Sequence, residues 1–150
     1  MSKFSYLSEK IKNAEFKEDP FKHVFIEDFL KQEHLDIILS DKQIHFDEAR
    51  STEELIETLH KKDYKVQNFP GCTTDLKEYL HHYNNDSFPH GRKGTPIESY
   101  GVTFRLSNIK NEFIKELTEY LNDKEFKQTL EEKFEIEKQT RIITAIQKNL

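Results

Sequence analysis

Two short stretches of the sequence place a histidine two residues before an aspartate. The first is His34-Leu35-Asp36 and the second is His45-Phe46-Asp47. A mononuclear metal site of the facial type needs two imidazoles and one carboxylate on one side of the ion, with the other positions open to reactants. Whether either stretch can supply such ligands depends on the secondary structure in which it lies.

The His34-Leu35-Asp36 stretch fits a metal poorly because it lies in a predicted helix. Residues i and i+2 of a helix point to nearly opposite sides, so this imidazole and this carboxylate cannot reach one ion. In an extended segment the same spacing puts both side chains on one face, and Ile44 to Asp47 is predicted to be a brief extended piece. His45 and Asp47, with His90 as the second imidazole, are therefore the candidate metal ligands.

Other residues keep alternatives to this candidate site open. His81 or His82 could supply the second imidazole, but adjacent helical positions diverge by about 100°. A solvated helix end, where positive charge suits the macrodipole, is the favoured interpretation of that pair. Arg92 or Arg105 could hold a cosubstrate carboxylate bidentately.

The plainer interpretation of His45 and Asp47 is a solvent-facing pair at the end of an extended segment. No strand set frames them in the sequence, and no nucleotide fingerprint or nucleophile elbow accompanies them. We therefore assign no catalytic residue, and the metal site remains an alternative.

The composition excludes several classes of function. The chain has 150 residues and a net charge of -5, and its lysines alternate with Asp and Glu, so a nucleic-acid partner is disfavoured. Cys72 is the only cysteine, which rules out an internal disulfide or a Cys-rich zinc site and favours a reducing compartment. We find no secretory signal and no bilayer-spanning segment. The sequence therefore predicts a cytoplasmic protein with no membrane partner.

Hydrophobic periodicity predicts an α+β chain of about five helices and three or four short strands. The first predicted helix spans Phe4 to Phe16, the second is capped by Asp28 and ends at Leu39, and the third is capped by Ser51. The fourth spans Leu76 to Tyr83 and is capped by Thr73, Thr74 or Asp75. The helical stretch from Ile109 to Phe134 divides into two helices at Asn122 or Asp123. Predicted strands are Pro20 to Leu30, Tyr100 to Leu106 and a mostly buried strand from Thr140 to Gln147.

The stretch from Pro20 to Leu39 is the most distinctive part of the chain. It reads P-F-x-H-x-x-I-x-D-F-L and continues into an amphipathic helix. This unit resembles the entry to the Fe(II)/2-oxoglutarate-dependent oxygenases of the prolyl-hydroxylase-like type. The resemblance implies helices that flank a double-stranded β-helix, or jelly roll. It also implies that full-length relatives bind Fe(II) and 2-oxoglutarate and act as dioxygenases, hydroxylating a substrate with release of succinate and carbon dioxide.

The same resemblance implies roles for the later elements. The helix pair from Ile109 to Phe134 looks like the long helices outside the family's β-helix, and Tyr100 to Leu106 looks like a strand of the flanking sheet. Arg141 to Gln147 looks like the core strand before the metal motif. No position matches the family's His-x-Asp…His motif in its proper place, so no catalytic residue can be transferred.

We therefore expect a single, incomplete oxygenase-like domain from residue 1 to 150, the N-terminal region of a 2-oxoglutarate dioxygenase. This chain alone should bind neither Fe(II) nor 2-oxoglutarate and should not turn over. An exposed edge on the Arg141 to Gln147 strand should lead to self-association or to pairing with a missing C-terminal segment. Two rival hypotheses remain: a non-enzymatic helical binding module, and a small complete metalloenzyme that uses His45, Asp47 and His90.

Overall fold

A computed structural model describes residues 2–67, 73–85, 101–136, 142 and 144–149. Within these residues the protein is α+β, with six helices and two small antiparallel sheets and no closed barrel. The α+β prediction is confirmed, and the jelly roll stays a prediction.

The chain forms two compact units, each built from separate parts of the sequence. The first unit contains Met1–His45 and Lys110–Thr144, and the second contains Phe46–Ile109 and Ala145–Leu150. The expectation that residues 1–150 form one incomplete domain stays a prediction, because two compact units can belong either to one domain or to two.

The elements follow in one order along the chain. They are α1 (Ser5–Asn13), β1 (Phe16–Lys17), β2 (His23–Val24), α2 (Gln32–Leu39), α3 (Thr52–Lys61), β3 (Tyr64–Gln67), α4 (Leu76–Asn85), β4 (Thr103–Leu106), α5 (Glu112–Asn122), α6 (Lys124–Phe134) and β5 (Gln147–Asn149). None of the helices in the described part of the chain is both long enough and apolar enough to cross a membrane.

The core of the first unit joins α1 to α5 and α6. Phe4 and Leu7 are almost fully buried and contact the buried rings of Tyr120 and Phe126. The Ser8 hydroxyl lies 2.7 Å from the Tyr120 hydroxyl, so a polar pair is satisfied inside this core. The predicted N-terminal helix is confirmed, although it ends at Asn13 rather than near Phe16.

The strand predicted from Pro20 to Leu30 is much shorter in the structure. Only His23–Val24 is a strand, and it pairs antiparallel with Phe16–Lys17 of β1. The backbone of a strand needs a hydrogen-bonded neighbour along its length, and β1 supplies only two residues. The β1–β2 hairpin is therefore small, and most of the predicted strand has no sheet partner among the described residues.

The prediction that Asp28 caps the following helix is wrong. Helix α2 begins at Gln32 after Lys31, which makes no side-chain capping bond. Asp28 has a φ of 47°, in the left-handed region that aspartate tolerates better than most residues. Its carbonyl accepts a hydrogen bond from the Lys10 ammonium, so Asp28 helps to hold α1 instead.

The second unit is built on the three-stranded antiparallel sheet β3-β4-β5. The central strand β4 confirms the strand predicted at Tyr100 to Leu106, and its Phe104 is fully buried. Strand β3 was not predicted, because its four residues alternate between apolar and polar over too short a stretch to be recognised. Leu59 of α3 and Tyr79 of α4 belong to the same buried cluster as Phe104.

The mostly buried strand predicted from Thr140 to Gln147 is corrected by the structure. The observed strand β5 is Gln147–Asn149, and both Gln147 and Lys148 are exposed. Ile142 and Thr144 lie in no strand, and residues 140, 141 and 143 lie outside the described residues. The strand begins only at the end of the predicted run, at Gln147, because pairing with β4 starts there.

Three predicted helix caps are confirmed. Ser51 accepts a hydrogen bond from the Glu54 amide at 3.2 Å, and Glu54 reaches back to the amide of Arg50. Asp75 accepts from two amides in the first turn of α4. Asp123 accepts from the Lys124 amide and separates α5 from α6. These side chains satisfy amides that a helix leaves without internal partners.

Leu59→Ala tests the core of the second unit. Leu59 is fully buried, so we expect its truncation to lower the free energy of unfolding by about 2–5 kcal/mol. Leu39→Ala is the matched control, because Leu39 is 53% exposed and its truncation should cost less than about 1 kcal/mol. Urea unfolding followed by circular dichroism measures both, and equal losses would contradict the assigned core.

Candidate functional site

His34 lies in the core of the first unit rather than at an open site. It is 8% exposed, and its ring centroid lies 5.4 Å from that of Phe4 and 5.0 Å from that of Phe113. Asp36 is exposed instead and accepts a hydrogen bond from Gln32. The two side chains therefore diverge, as their helical spacing predicts.

The Tyr6 hydroxyl is hydrogen-bonded to His34 and to the backbone that precedes α2. The Tyr6 hydroxyl oxygen accepts from the Lys31 amide at 3.2 Å and lies 2.9 Å from Nδ1 of His34. The Glu33 carboxylate lies 3.9 Å from Nε2 of His34 and favours the tautomer with its proton there, in which Nδ1 accepts the hydroxyl proton of Tyr6. In that tautomer Nδ1 is already hydrogen-bonded, which suits a structural role.

Charged groups surround this ring cluster at its exposed side. The Lys3 ammonium lies 4.8 Å from the centroid of Phe113 and pairs with Glu116, while the Lys31 ammonium lies 4.8 Å from the centroid of Tyr6. Such cation–π contacts cover aromatic faces without needing a ligand. The arrangement around His34 is therefore that of a satisfied core histidine, which is a structural role.

The proposed ligands His45 and Asp47 are both exposed. Ile44 lies in a turn and residues 45–47 belong to no strand, so the predicted extended piece is wrong. The His45 amide donates to the Asp41 carbonyl at 2.7 Å, which keeps this segment close to the end of α2. His90 lies outside the described residues, as do Cys72 and Arg92.

The remaining candidates occupy ordinary positions in the second unit. His81 and His82 both lie on α4, with ring centroids 5.5 Å apart, and His81 is exposed. Arg105 lies half-buried on β4, opposite Lys65 of β3 and Gln147 of β5. In the part of the chain that is described, no three His, Cys, Asp or Glu side chains are grouped so that they could hold a metal ion.

The described residues therefore do not fit an Fe(II) centre, because a facial iron site needs three converging ligands. His90 lies outside the described residues.

Two groups with shifted pKa values lie in the second unit. Burial raises the pKa of the Tyr79 phenol, and the stacked neighbour Tyr83 adds to the shift. Hydrogen bonds from its own backbone amide, from Asn84 and from Ser51 lower the pKa of Glu53. Both shifts follow from local packing and hydrogen bonding in α3 and α4, and neither points to a reacting group.

The structure also reveals an aromatic surface that the periodicity did not single out. Phe21 and Phe25 are 67% and 64% exposed, and the ring centroid of His23, which lies between them in the sequence, is 5.3 Å from that of Phe21. Lys17 is paired opposite His23, and its ammonium lies 5.5 Å from the centroid of Phe25. We call these four side chains the outer face of the hairpin. The alternation Phe21, His23, Phe25 was a signal for it in the sequence.

The fold and these side chains define an α+β protein whose described residues contain no group of three metal-ligating side chains. No protein-family model matches the sequence, and neither the curated proteins nor the solved structures include a significant match to it.

Tyr6→Phe tests the bond to His34. The change leaves Nδ1 of His34 and the Lys31 amide without their partner, so we expect a loss of about 1–3 kcal/mol in the free energy of unfolding. Nitrogen-15 NMR of the imidazole should show Nδ1 unprotonated and Nε2 protonated in the neutral ring.

A double-mutant cycle provides the control for this prediction. In a His34→Leu background the cost of Tyr6→Phe should shrink, because the interacting nitrogen is gone. An unchanged cost, or a neutral imidazole protonated at Nδ1, would contradict the assigned hydrogen bond.

Proposed function

We propose that this chain is the N-terminal portion of an Fe(II)/2-oxoglutarate-dependent dioxygenase of the prolyl-hydroxylase-like type. The Pro20 to Leu39 resemblance supports the proposal, together with the order in which short strands and helices follow it. In this proposal α5 and α6 are the helices outside the jelly roll, and β4 is a strand of the sheet that flanks it. The proposed compartment is the reducing cytoplasm, which suits a single cysteine.

The observation that carries the proposal is the open edge of β5. The strand order is β3-β4-β5, so β5 has a partner on one side only among the described residues. An edge strand presents unpaired amide and carbonyl groups that can accept a further strand. A sheet that continues into a jelly roll would need such an edge.

The pairing of β5 shows which amides face this edge. The Leu106 amide donates to the Ile146 carbonyl at 2.9 Å, so Ile146 directs its polar backbone groups toward β4. Backbone groups of successive strand residues point to opposite sides. The Gln147 amide therefore points to the open edge, and the Lys148 amide points to β4.

The iron ligands are the part of the proposal that the described residues do not provide. The described residues assemble no three-ligand group, and the sequence has no His-x-Asp…His motif in the family's position. We propose that the ligands and the basic group that anchors 2-oxoglutarate belong to polypeptide beyond this chain. The chain alone is then inactive.

A non-enzymatic binding module is the second candidate. It is favoured by the outer face of the hairpin, where Phe21 and Phe25 are mostly exposed. Large apolar side chains that stay exposed often mark interaction sites when they form a patch. A binding module needs no metal and no further strands.

Anaerobic calorimetric titration with Fe(II), with and without 2-oxoglutarate, tests the absence of a metal site. We expect no one-to-one binding, because three converging ligands are missing from the described residues. Tight binding strengthened by 2-oxoglutarate would instead support the small metalloenzyme. Fe(II) binding would then be lost in His45→Ala, Asp47→Ala and His90→Ala but kept in the control His81→Ala.

Gln147→Pro separates the oxygenase portion from the binding module. If the open edge of β5 needs a partner, the chain should self-associate as its concentration rises, and the loss of the outward amide should reduce this association. Sedimentation velocity measures it. The control Lys148→Pro removes an amide that points to β4 and should destabilise the sheet instead. A chain that stays monomeric at every concentration would favour the binding module.

A further inference from the structure

The carboxylates around the β1–β2 hairpin lack the ion-pair partners that several helical carboxylates of the same unit have. Four of them are exposed and form no ion pair within the described residues: Glu15, Glu18, Asp19 and Glu27. By contrast, Glu9 of α1 pairs with Lys12, and Glu112 of α5 pairs with Lys115. The hairpin therefore leaves its negative charges open to a cation from outside.

The two lysines of the hairpin contact aromatic rings instead of these carboxylates. The Lys17 ammonium lies 5.5 Å from the ring centroid of Phe25, and the Lys22 ammonium lies 4.4 Å from that of Phe16. The face of an aromatic ring attracts cations because its π electrons carry partial negative charge. These contacts show that the rings of the hairpin are placed where cations can reach them. The two ammonium groups do not balance the four carboxylates, so the hairpin keeps a negative charge.

The most exposed rings of the described chain lie among these unpaired charges. Glu18 and Asp19 come shortly before Phe21 in the sequence, and Glu27 comes two residues after Phe25. A ring face beside a carboxylate suits a guanidinium group, which stacks flat on the ring while its N–H groups donate to the carboxylate. The residue types on this surface therefore indicate an arginine side chain as the ligand.

A groove next to Phe25 combines a ring with an unpaired carboxylate. It has a volume of about 540 Å³ and lies between α1 and the segment that follows β2. Its lining includes Tyr6, Phe25 and Glu27. Two other charged residues line it, but Glu9 is paired within α1 and the Lys10 ammonium is bonded to a backbone carbonyl. Glu27 is therefore the lining residue whose charge has no partner, and the groove has room for one long basic side chain.

We propose that the outer face of the hairpin and the adjoining groove bind an arginine-containing segment of a partner protein. Guanidinium groups of the segment stack on the exposed rings of Phe21 and Phe25 and donate to the carboxylates beside them, with Glu27 receiving the side chain that enters the groove. Recognition is by side chains, so the segment does not need to form a strand. The surface belongs to the first unit, and the proposal does not depend on the oxygenase assignment or on β5.

The same charges argue against other partners. Nucleic acids and the surfaces of anionic phospholipid membranes are negatively charged, so the carboxylates of the hairpin repel them. A second copy of the chain, placed symmetrically on this face, would bring identical carboxylates together. A lysine side chain fits less well than arginine, because its ammonium is strongly hydrated and cannot stack flat on a ring.

The test is a titration of the full chain with synthetic peptides, followed by nitrogen-15 NMR. In the first peptide arginines are separated by Gly and Ser, in the second each arginine is replaced by neutral citrulline, and in the third by lysine. We expect the arginine peptide to shift the amide resonances of residues 15–27 and to bind more tightly than the other two. Phe25→Ser should weaken this binding about tenfold, equivalent to about 1.4 kcal/mol.

Charge variants complete the test. Glu27→Gln should weaken binding of the arginine peptide, and Lys17→Gln should strengthen it, because the Lys17 ammonium competes for the ring of Phe25. Glu119→Gln is the matched control, since Glu119 is also exposed and lacks an ion-pair partner within the described residues but lies on α5. It should leave the affinity unchanged. Phe25 is mostly exposed, so Phe25→Ser should keep the circular dichroism spectrum of the parent chain.

Several results would overturn the proposal. Equal binding of the citrulline peptide would show that charge is not recognised, and equal or tighter binding of the lysine peptide would remove the role of stacking. Equal losses in Glu27→Gln and Glu119→Gln would indicate non-specific attraction to an acidic chain. Hairpin resonances that move on dilution without peptide would indicate a second copy. Binding to vesicles of anionic phospholipid that is lost in Phe21→Ser would indicate a membrane surface.

Discussion

The second unit depends on the position of β4 between two antiparallel partners. Its four residues satisfy their backbone groups on both sides, and this allows Phe104 to be fully buried. Buried amide and carbonyl groups are costly when they lack partners, so the strand could not occupy the core without both neighbours. The helices α3 and α4 then pack apolar side chains onto the face that Phe104 presents.

Local signals in the sequence predicted the helices well. Ser51, Asp75 and Asp123 each cap the helix that their position before an apolar stripe indicates. These signals lie within a few residues of the element that they specify, so no knowledge of tertiary structure is needed. Asp28, which does not cap α2 as predicted, has a left-handed backbone and a carbonyl that accepts a hydrogen bond from Lys10 of α1.

Strands were harder to predict because their existence depends on distant partners. The apolar cluster around Val24 looks like a long strand, but β1 offers only two residues for pairing. Strand β3 has a weak pattern of its own and exists because β4 pairs with all four of its residues. The last strand begins later than its β-branched run implies, since pairing with β4 decides its position.

The candidate site shows the same limit in chemical terms. Spacing alone could reject His34 and Asp36 as a ligand pair, because a helix separates their side chains. It could not reveal that Tyr6, twenty-eight residues earlier, forms a hydrogen bond with His34. Spacing also could not show that Phe21 and Phe25 remain exposed, because exposure depends on how the helices and strands pack around them.

The division of each unit into two sequence segments has a consequence for synthesis on the ribosome. Helix α1 leaves the exit tunnel early, but the Tyr120 hydroxyl that pairs with Ser8 is made 112 residues later. Until then Phe4 and Leu7 lack the buried rings of Tyr120 and Phe126 that complete their core. Since domains tend to fold as they emerge, the nascent chain should expose these apolar side chains for most of its elongation. At about 5–20 residues per second, that interval lasts several seconds, long enough for a chaperone to bind.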